Sequence, residues 1–83
     1  MKLLYFAWLR TRIGRAEEEL NPPGDVMTVK DLLDWLKGRG PGYAEALARP
    51  DLVRVAVNQE FATPDSPVDS DDEVALFPPV TGG

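Results

Sequence analysis

The chain opens on Lys2-Leu3-Leu4-Tyr5-Phe6-Ala7-Trp8-Leu9, an almost unbroken apolar and aromatic run. A run of strand length without polar alternation reads as a strand buried on both faces, and such a strand belongs in the middle of a sheet. In a chain of 83 residues this is a severe constraint, because everything that follows must flank and cover the first segment made. A domain this small buries only about 60% of its unfolded surface, so it holds one compact core and no deep, enclosed catalytic cavity.

The rest of the chain supplies the flanking elements. Arg10 to Gly14 breaks the apolar run, and Ala16-Glu17-Glu18-Glu19-Leu20 reads as a polar second strand returning to an edge, although consecutive glutamates also suit a helix. Asn21-Pro22-Pro23-Gly24-Asp25 is a loop. Thr28 with Asp31 three residues on has the form of a capping box, with Met27 placed to staple onto Leu32. Val29, Leu32, Leu33 and Leu36 then recur at i, i+3, i+4 and i+7, which predicts one amphipathic helix, stopped by Gly38, Gly40 and Pro41. Tyr43 and Leu47, bounded by Pro41 and Pro50, suit a further short helical turn or two. Val53 to Asn58 alternates strictly, with the valines on one side and Arg54, Ala56 and Asn58 on the other. Asn58-Gln59 turns that strand into a brief return at Glu60-Phe61-Ala62. Glu73-Val74-Ala75-Leu76-Phe77 makes a last strand, which Pro78-Pro79 ends because proline cannot donate to a ladder.

This order predicts an α+β fold: a mixed sheet of four to five strands with one main helix packed on one face. The first and last strands, the most apolar, are expected to be parallel neighbours in its centre. That is the β-grasp, or ubiquitin-like, arrangement. It divides the chain into a domain of residues 1–77 and an extended, flexible tail of residues 78–83.

Composition removes most side-chain catalysis. There is no cysteine and no histidine, hence no thiol nucleophile, disulfide, zinc finger or ordinary neutral-pH base. No cysteine is compatible with a reducing compartment, and no apolar stretch approaches the roughly 20 residues that span a bilayer; the expectation is a soluble, cytoplasmic protein without membrane contact. Asp69, Asp71, Asp72 and Glu73 form the only dense carboxylate cluster, but their spacing does not match a calcium loop and they read as a solvated turn, so no metal site is expected. Gly38-Arg39-Gly40-Pro41-Gly42 follows a helix and lacks the lysine of a phosphate-binding loop. The formal charge is −5, with Lys2, Arg10, Arg12 and Arg15 near the start and only acids after residue 59. An acidic chain without a basic stripe is a poor nucleic-acid binder and better suited to a basic protein partner.

What remains is Phe77-Pro78-Pro79-Val80-Thr81-Gly82-Gly83. Two prolines stiffen the segment, and six residues reach on the order of 20 Å at about 3.3–3.6 Å each. Two glycines without Cβ can thread a narrow channel and present a carboxylate with little shielding. The stretch Glu73 to Gly83 closely resembles the C-terminal signature of molybdopterin synthase small subunits, the MoaD-like sulfur carriers. The resemblance extends to Phe6-Ala7 with Arg10 shortly after, and to Val57-Asn58-Gln59.

The resemblance implies that Gly83 is adenylated and converted to a thiocarboxylate by an E1-like enzyme using Mg-ATP, with a sulfurtransferase supplying the sulfur. It implies transfer to cyclic pyranopterin monophosphate in the active site of a large synthase subunit, within a heterotetramer. Catalytic side chains would then belong to the large subunit, and this chain would bind no cofactor itself. The family's contact surface maps onto Phe6, Phe61 and Phe77, with Arg10 in its polar part; each phenylalanine alone suits simple core packing as well. Related carriers for thiamine synthesis or tRNA thiolation, and ubiquitin-like modifiers conjugated through a terminal glycine, share the fold and the activation chemistry.

Overall fold

The computed structural model describes residues 1–79. In chain order the elements are β1 (Lys2–Tyr5), α1 (Ala7–Ile13), β2 (Glu17–Glu19), α2 (Val29–Lys37), α3 (Pro41–Ala46), β3 (Arg54–Val57), β4 (Glu60–Ala62) and β5 (Glu73–Phe77), with a 3-10 turn at Pro50–Leu52 before β3. The strands form one mixed sheet in the order β2-β1-β5-β3-β4. β1 and β5 are parallel, with Leu3 opposite Val74 and Tyr5 opposite Leu76. The other pairs are antiparallel. The β-grasp order expected from the apolar first and last strands is therefore the order observed.

Alternation along each strand divides the sheet into two faces. Leu3, Tyr5, Val55, Val74 and Leu76 point to one side and are buried with Val29, Leu32 and Leu36 of α2, and Leu9, Ala46, Leu47, Met1, Leu20 and Val53 complete this core. The helix α2 begins where the capping box predicts. The Asp31 N–H donates to Thr28 Oγ1 and the Thr28 N–H donates to Asp31 Oδ2, both at 3.2 Å, which satisfies two orphan donors at a helix start. The staple does not accompany it, since Met27 remains 64% exposed and gives little of its surface to Leu32. The Asn58-Gln59 turn has φ of 51° and 71°, as a two-residue hairpin with the strand's own twist requires.

The opening run is where the sequence reading needs correction. The strand ends at Tyr5; Phe6 caps a helix, and Trp8 and Leu9 lie on α1 rather than in β1. Leu9 and Ile13 stand four apart on that helix, Leu9 fully buried, and the Arg12 guanidinium lies 5.9 Å from the Trp8 ring. An uninterrupted apolar run carries no period, so the change from period 2 to 3.6 inside it leaves no trace. Nor is β1 buried on both faces: Lys2 is exposed and Leu4 only half-buried. Ala7 makes the change of direction with φ of 56°, and Gly14 ends α1 in the left-handed region with its N–H donating to the Arg10 carbonyl. Among the described residues three α-helices thus replace the single main helix with a short second one.

Candidate docking surface

Among the described residues no helix covers the second face of the sheet. Register places Leu4 beside Ala75, Ala75 beside Ala56, and Ala56 beside Phe61, in one row across β1, β5, β3 and β4. In the next row Phe77 stands opposite Arg54, and Phe6 follows directly after the Tyr5–Leu76 pair. The Phe6 N–H donates to the Leu76 carbonyl at 3.1 Å, which holds the end of β1 against the end of β5. The rings of Phe61 and Phe77 lie 6.0 Å apart, tilted, across the width of β3.

Burial separates these aromatics from the core. Phe61 is 84% exposed and Phe6 49%, while Phe77 is half-buried. Leaving a phenylalanine in water forfeits roughly 1.5–3 kcal/mol relative to burying it, so clustered exposed rings mark a surface built to be covered. The core-packing alternative for Phe6 and Phe61 is thereby removed. The two alanines make a low floor between the aromatics, which allows close approach to the sheet. Sequence reasoning named Phe6, Phe61 and Phe77 but not Leu4, Ala56 and Ala75, which share their face of the sheet. Their signal was present in the alternation, since Leu4 is out of phase with the buried Leu3 and Tyr5, and Ala75 with Val74 and Leu76.

Arg10 is exposed on α1, the helix that continues from Phe6 and packs against β5 and α3. Pro78 and Pro79 follow β5 and are half-buried. Val80, Thr81, Gly82 and Gly83 lie outside the described residues.

Charge is laid out unevenly on this face. At the end where β5 begins are Glu19, Lys2 and Glu73, with Glu17 one row on and paired to Lys2 at 3.1 Å. The adjoining acidic turn is internally bonded: Asp72 accepts from the Asp69 N–H and from the Asn58 amide. Among the described residues no group of three or more carboxylates is arranged to hold a metal ion, and no helix is long and apolar enough to cross a membrane.

A part-buried polar cluster lies on the helix side. Glu18 Oε2 accepts from the hydroxyls of Tyr5 at 2.7 Å and Tyr43 at 2.6 Å, and Oε1 from Arg15 at 3.0 Å, with the glutamate side chain only 5% exposed. Burial opposes ionisation of Glu18, but the two hydroxyls and Arg15 outweigh it and hold the carboxyl below its ordinary range. Burial, with the Glu18 carboxylate as acceptor, pushes Tyr5 and Tyr43 upward. This cluster ties β2 to β1 and α3 and lies on the other side of the sheet from the docking row. A cleft of about 420 Å³ between α2 and β3 is lined by apolar residues such as Val29, Leu33 and Val53, and is also bordered by Lys30, Asp51 and Arg54.

Residues 3–83 match the ThiS family. Over its full length the chain is 39% identical to the molybdopterin synthase sulfur carrier subunit of Escherichia coli (strain K12), covering 99% of that protein. It superimposes with a TM-score of 0.76 on the putative molybdopterin converting factor, subunit 1, of Pyrococcus furiosus, at 32% identity over 95% of each chain. The small archaeal modifier protein 1 of Haloferax volcanii gives a TM-score of 0.75 at 32% identity, over 96% of this chain and 97% of that one. With the sheet order, the uncovered aromatic row and a match running through residue 83, the chain belongs to the ThiS family.

Proposed function

We propose that this chain is the sulfur carrier subunit of a molybdopterin synthase. The observation that carries the reading is full-length similarity to sulfur carrier subunits of that enzyme, in a chain whose exposed aromatic face lies at the root of Phe77-Pro78-Pro79-Val80-Thr81-Gly82-Gly83. A carboxylate at Gly83 is an anion at neutral pH and a poor electrophile. An E1-like partner with Mg-ATP converts it to an acyl adenylate, releasing pyrophosphate. Sulfur delivered by a sulfurtransferase at the sulfide level, its persulfide having been reduced by a thiol, displaces AMP and leaves a thiocarboxylate, a soft nucleophile. The tail, residues 78–83, then enters the active site of the large subunit and gives its sulfur to cyclic pyranopterin monophosphate. All of this takes place in the cytoplasm. Phe6, Phe61 and Phe77 dock the carrier, Arg10 contributes to the polar part of the contact, and the acid–base groups belong to the large subunit.

The test is intact mass after incubation with host extract, ATP and a sulfur source, followed by thiol-selective alkylation and fragmentation. An alkylatable gain confined to Gly83, discharged on addition of large subunit and pterin precursor, supports the reading. Loaded protein that sulfurates tRNA or the thiazole precursor and leaves the pterin untouched would replace it with a related carrier function. The likeness to a small archaeal modifier protein favours one second reading, conjugation through Gly83 to lysines. Higher-mass conjugates that vanish when Gly83 is deleted would establish it.

A further inference from the structure

Arg54 occupies a position that nothing above assigns. Alternation with the buried Val53 and Val55 puts it on the docking face, and register puts it directly opposite Phe77. It is exposed. Among the described residues it has no carboxylate within ion-pair distance, as is also true of Arg10, Lys37 and Arg39, whereas Lys2, Arg12, Arg15, Lys30 and Arg49 each have one. The nearby Asp51 is bonded by Arg49 at 3.2 Å and feels Arg54 only as a weaker, longer-range charge.

A partner cannot avoid this residue. Phe61 pairs with Ala56 and Phe77 with Arg54, and the two rings approach each other across β3, so a surface that covers both rings covers the strand between them. A guanidinium pressed under an apolar surface without an acceptor loses its hydration uncompensated, which weakens binding. A carboxylate in the partner surface removes that cost through charge-assisted, bidentate bonding. The opposite end of the same face is rich in glutamate, so a complementary partner carries its charges in reverse order and docks in one orientation.

We infer that Arg54 is a specificity-determining residue of the docking face, and that the partner covering Phe61 and Phe77 places a carboxylate beside it. The inference rests on the function proposed above.

The experiment measures the dissociation constant of the full chain with the large synthase subunit of its own host, at low and at high ionic strength. Arg54→Glu is compared with Lys30→Glu, an equal change of charge on α2, on the other side of the sheet. Arg54→Glu is expected to weaken binding by about a hundredfold or more at low salt and by much less at high salt, with Lys30→Glu within about threefold of wild type. Should the reversal variant fail to fold, Arg54→Leu reads the same question, with a loss of about tenfold expected. Arg54 variants that bind like Lys30→Glu, while wild type binds well, overturn the inference and leave the proposed function standing. Wild type that does not bind the large subunit overturns both.

Discussion

Glu18 is one of three consecutive glutamates, and the structure predicts that it alone matters greatly for stability. Replacing it by alanine leaves the Tyr5 hydroxyl without its acceptor in a residue only 1% exposed, and such an orphan costs about 1–3 kcal/mol. The Tyr43 hydroxyl is less enclosed and can turn toward water, so its loss is smaller, and the Arg15 end of the ion pair is exposed and adds at most about 1 kcal/mol. The expected total is about 2–4 kcal/mol. At roughly 0.05–0.15 kcal/mol per residue the whole domain has about 4–12 kcal/mol of stability, so the variant stands near the edge of folding. Urea unfolding should show the midpoint falling by about 2 M or more at a slope near 1 kcal/mol/M. Glu17→Ala, which removes an exposed pair with Lys2 from the same strand, should lose less than about 1 kcal/mol.

The same geometry fixes a pH dependence. Because the Glu18 carboxyl is held down in the folded state, its contribution is fully present above the ordinary glutamate value of about 4.3 and is lost as pH falls through the lower folded value. Glu18→Gln keeps an acceptor oxygen but no titrating charge, so its stability should fall less steeply below about pH 4.3 than that of wild type. Equal losses for Glu17→Ala and Glu18→Ala, or parallel acid slopes for wild type and Glu18→Gln, would refute the reasoning.

Three further outcomes are expected. A Cβ at Gly42 would sit 2.6 Å from the Arg12 carbonyl oxygen, so Gly42→Ala should destabilise by about 1–3 kcal/mol in chemical unfolding although alanine is the better helix former. Ala7→Gly should be neutral or stabilising by up to about 1 kcal/mol, since glycine removes the roughly 1–2 kcal/mol cost of a left-handed φ; a calorimetric loss of more than about 1 kcal/mol would contradict that account. Phe61→Ala should leave the melting temperature nearly unchanged and weaken large-subunit binding tenfold or more in titration calorimetry, whereas the half-buried Phe77→Ala should lower both.

What the sequence made legible were the features with a local cause. Thr28 and Asp31 announce the start of α2 because a capping box is a contact between residues three apart, and Val53 to Val57 announce β3 because a two-sided strand alternates. α1 stayed hidden because Ala7, Trp8 and Leu9 continue an apolar run whose period changes without a polar residue to mark it. The role of Glu18 stayed hidden for a different reason: its partners Tyr5 and Tyr43 lie 13 and 25 residues away, and three identical side chains offer no contrast. The docking row was half legible. Phenylalanines stand out in a strand, but Ala56 and Ala75 become a floor only once β3 and β5 are known to be neighbours.

The way the sheet is protected decides how a partner can approach it. An unpaired strand edge invites pairing with another chain, and both edges here are blunted. β2 has three residues, all glutamate, with Glu17 and Glu19 facing outward, and β4 has only three, Glu60, Phe61 and Ala62. The helices occupy the other face. A partner is therefore left with the uncovered face, where Leu4, Ala56, Ala75 and the aromatics are concentrated. β5 lies in that face, hydrogen-bonded on both sides by β1 and β3, and runs toward Phe77, so the chain leaves the sheet within the covered area rather than at its margin. A partner gripping the face therefore also sits beside Phe77, the last residue of the central strand β5.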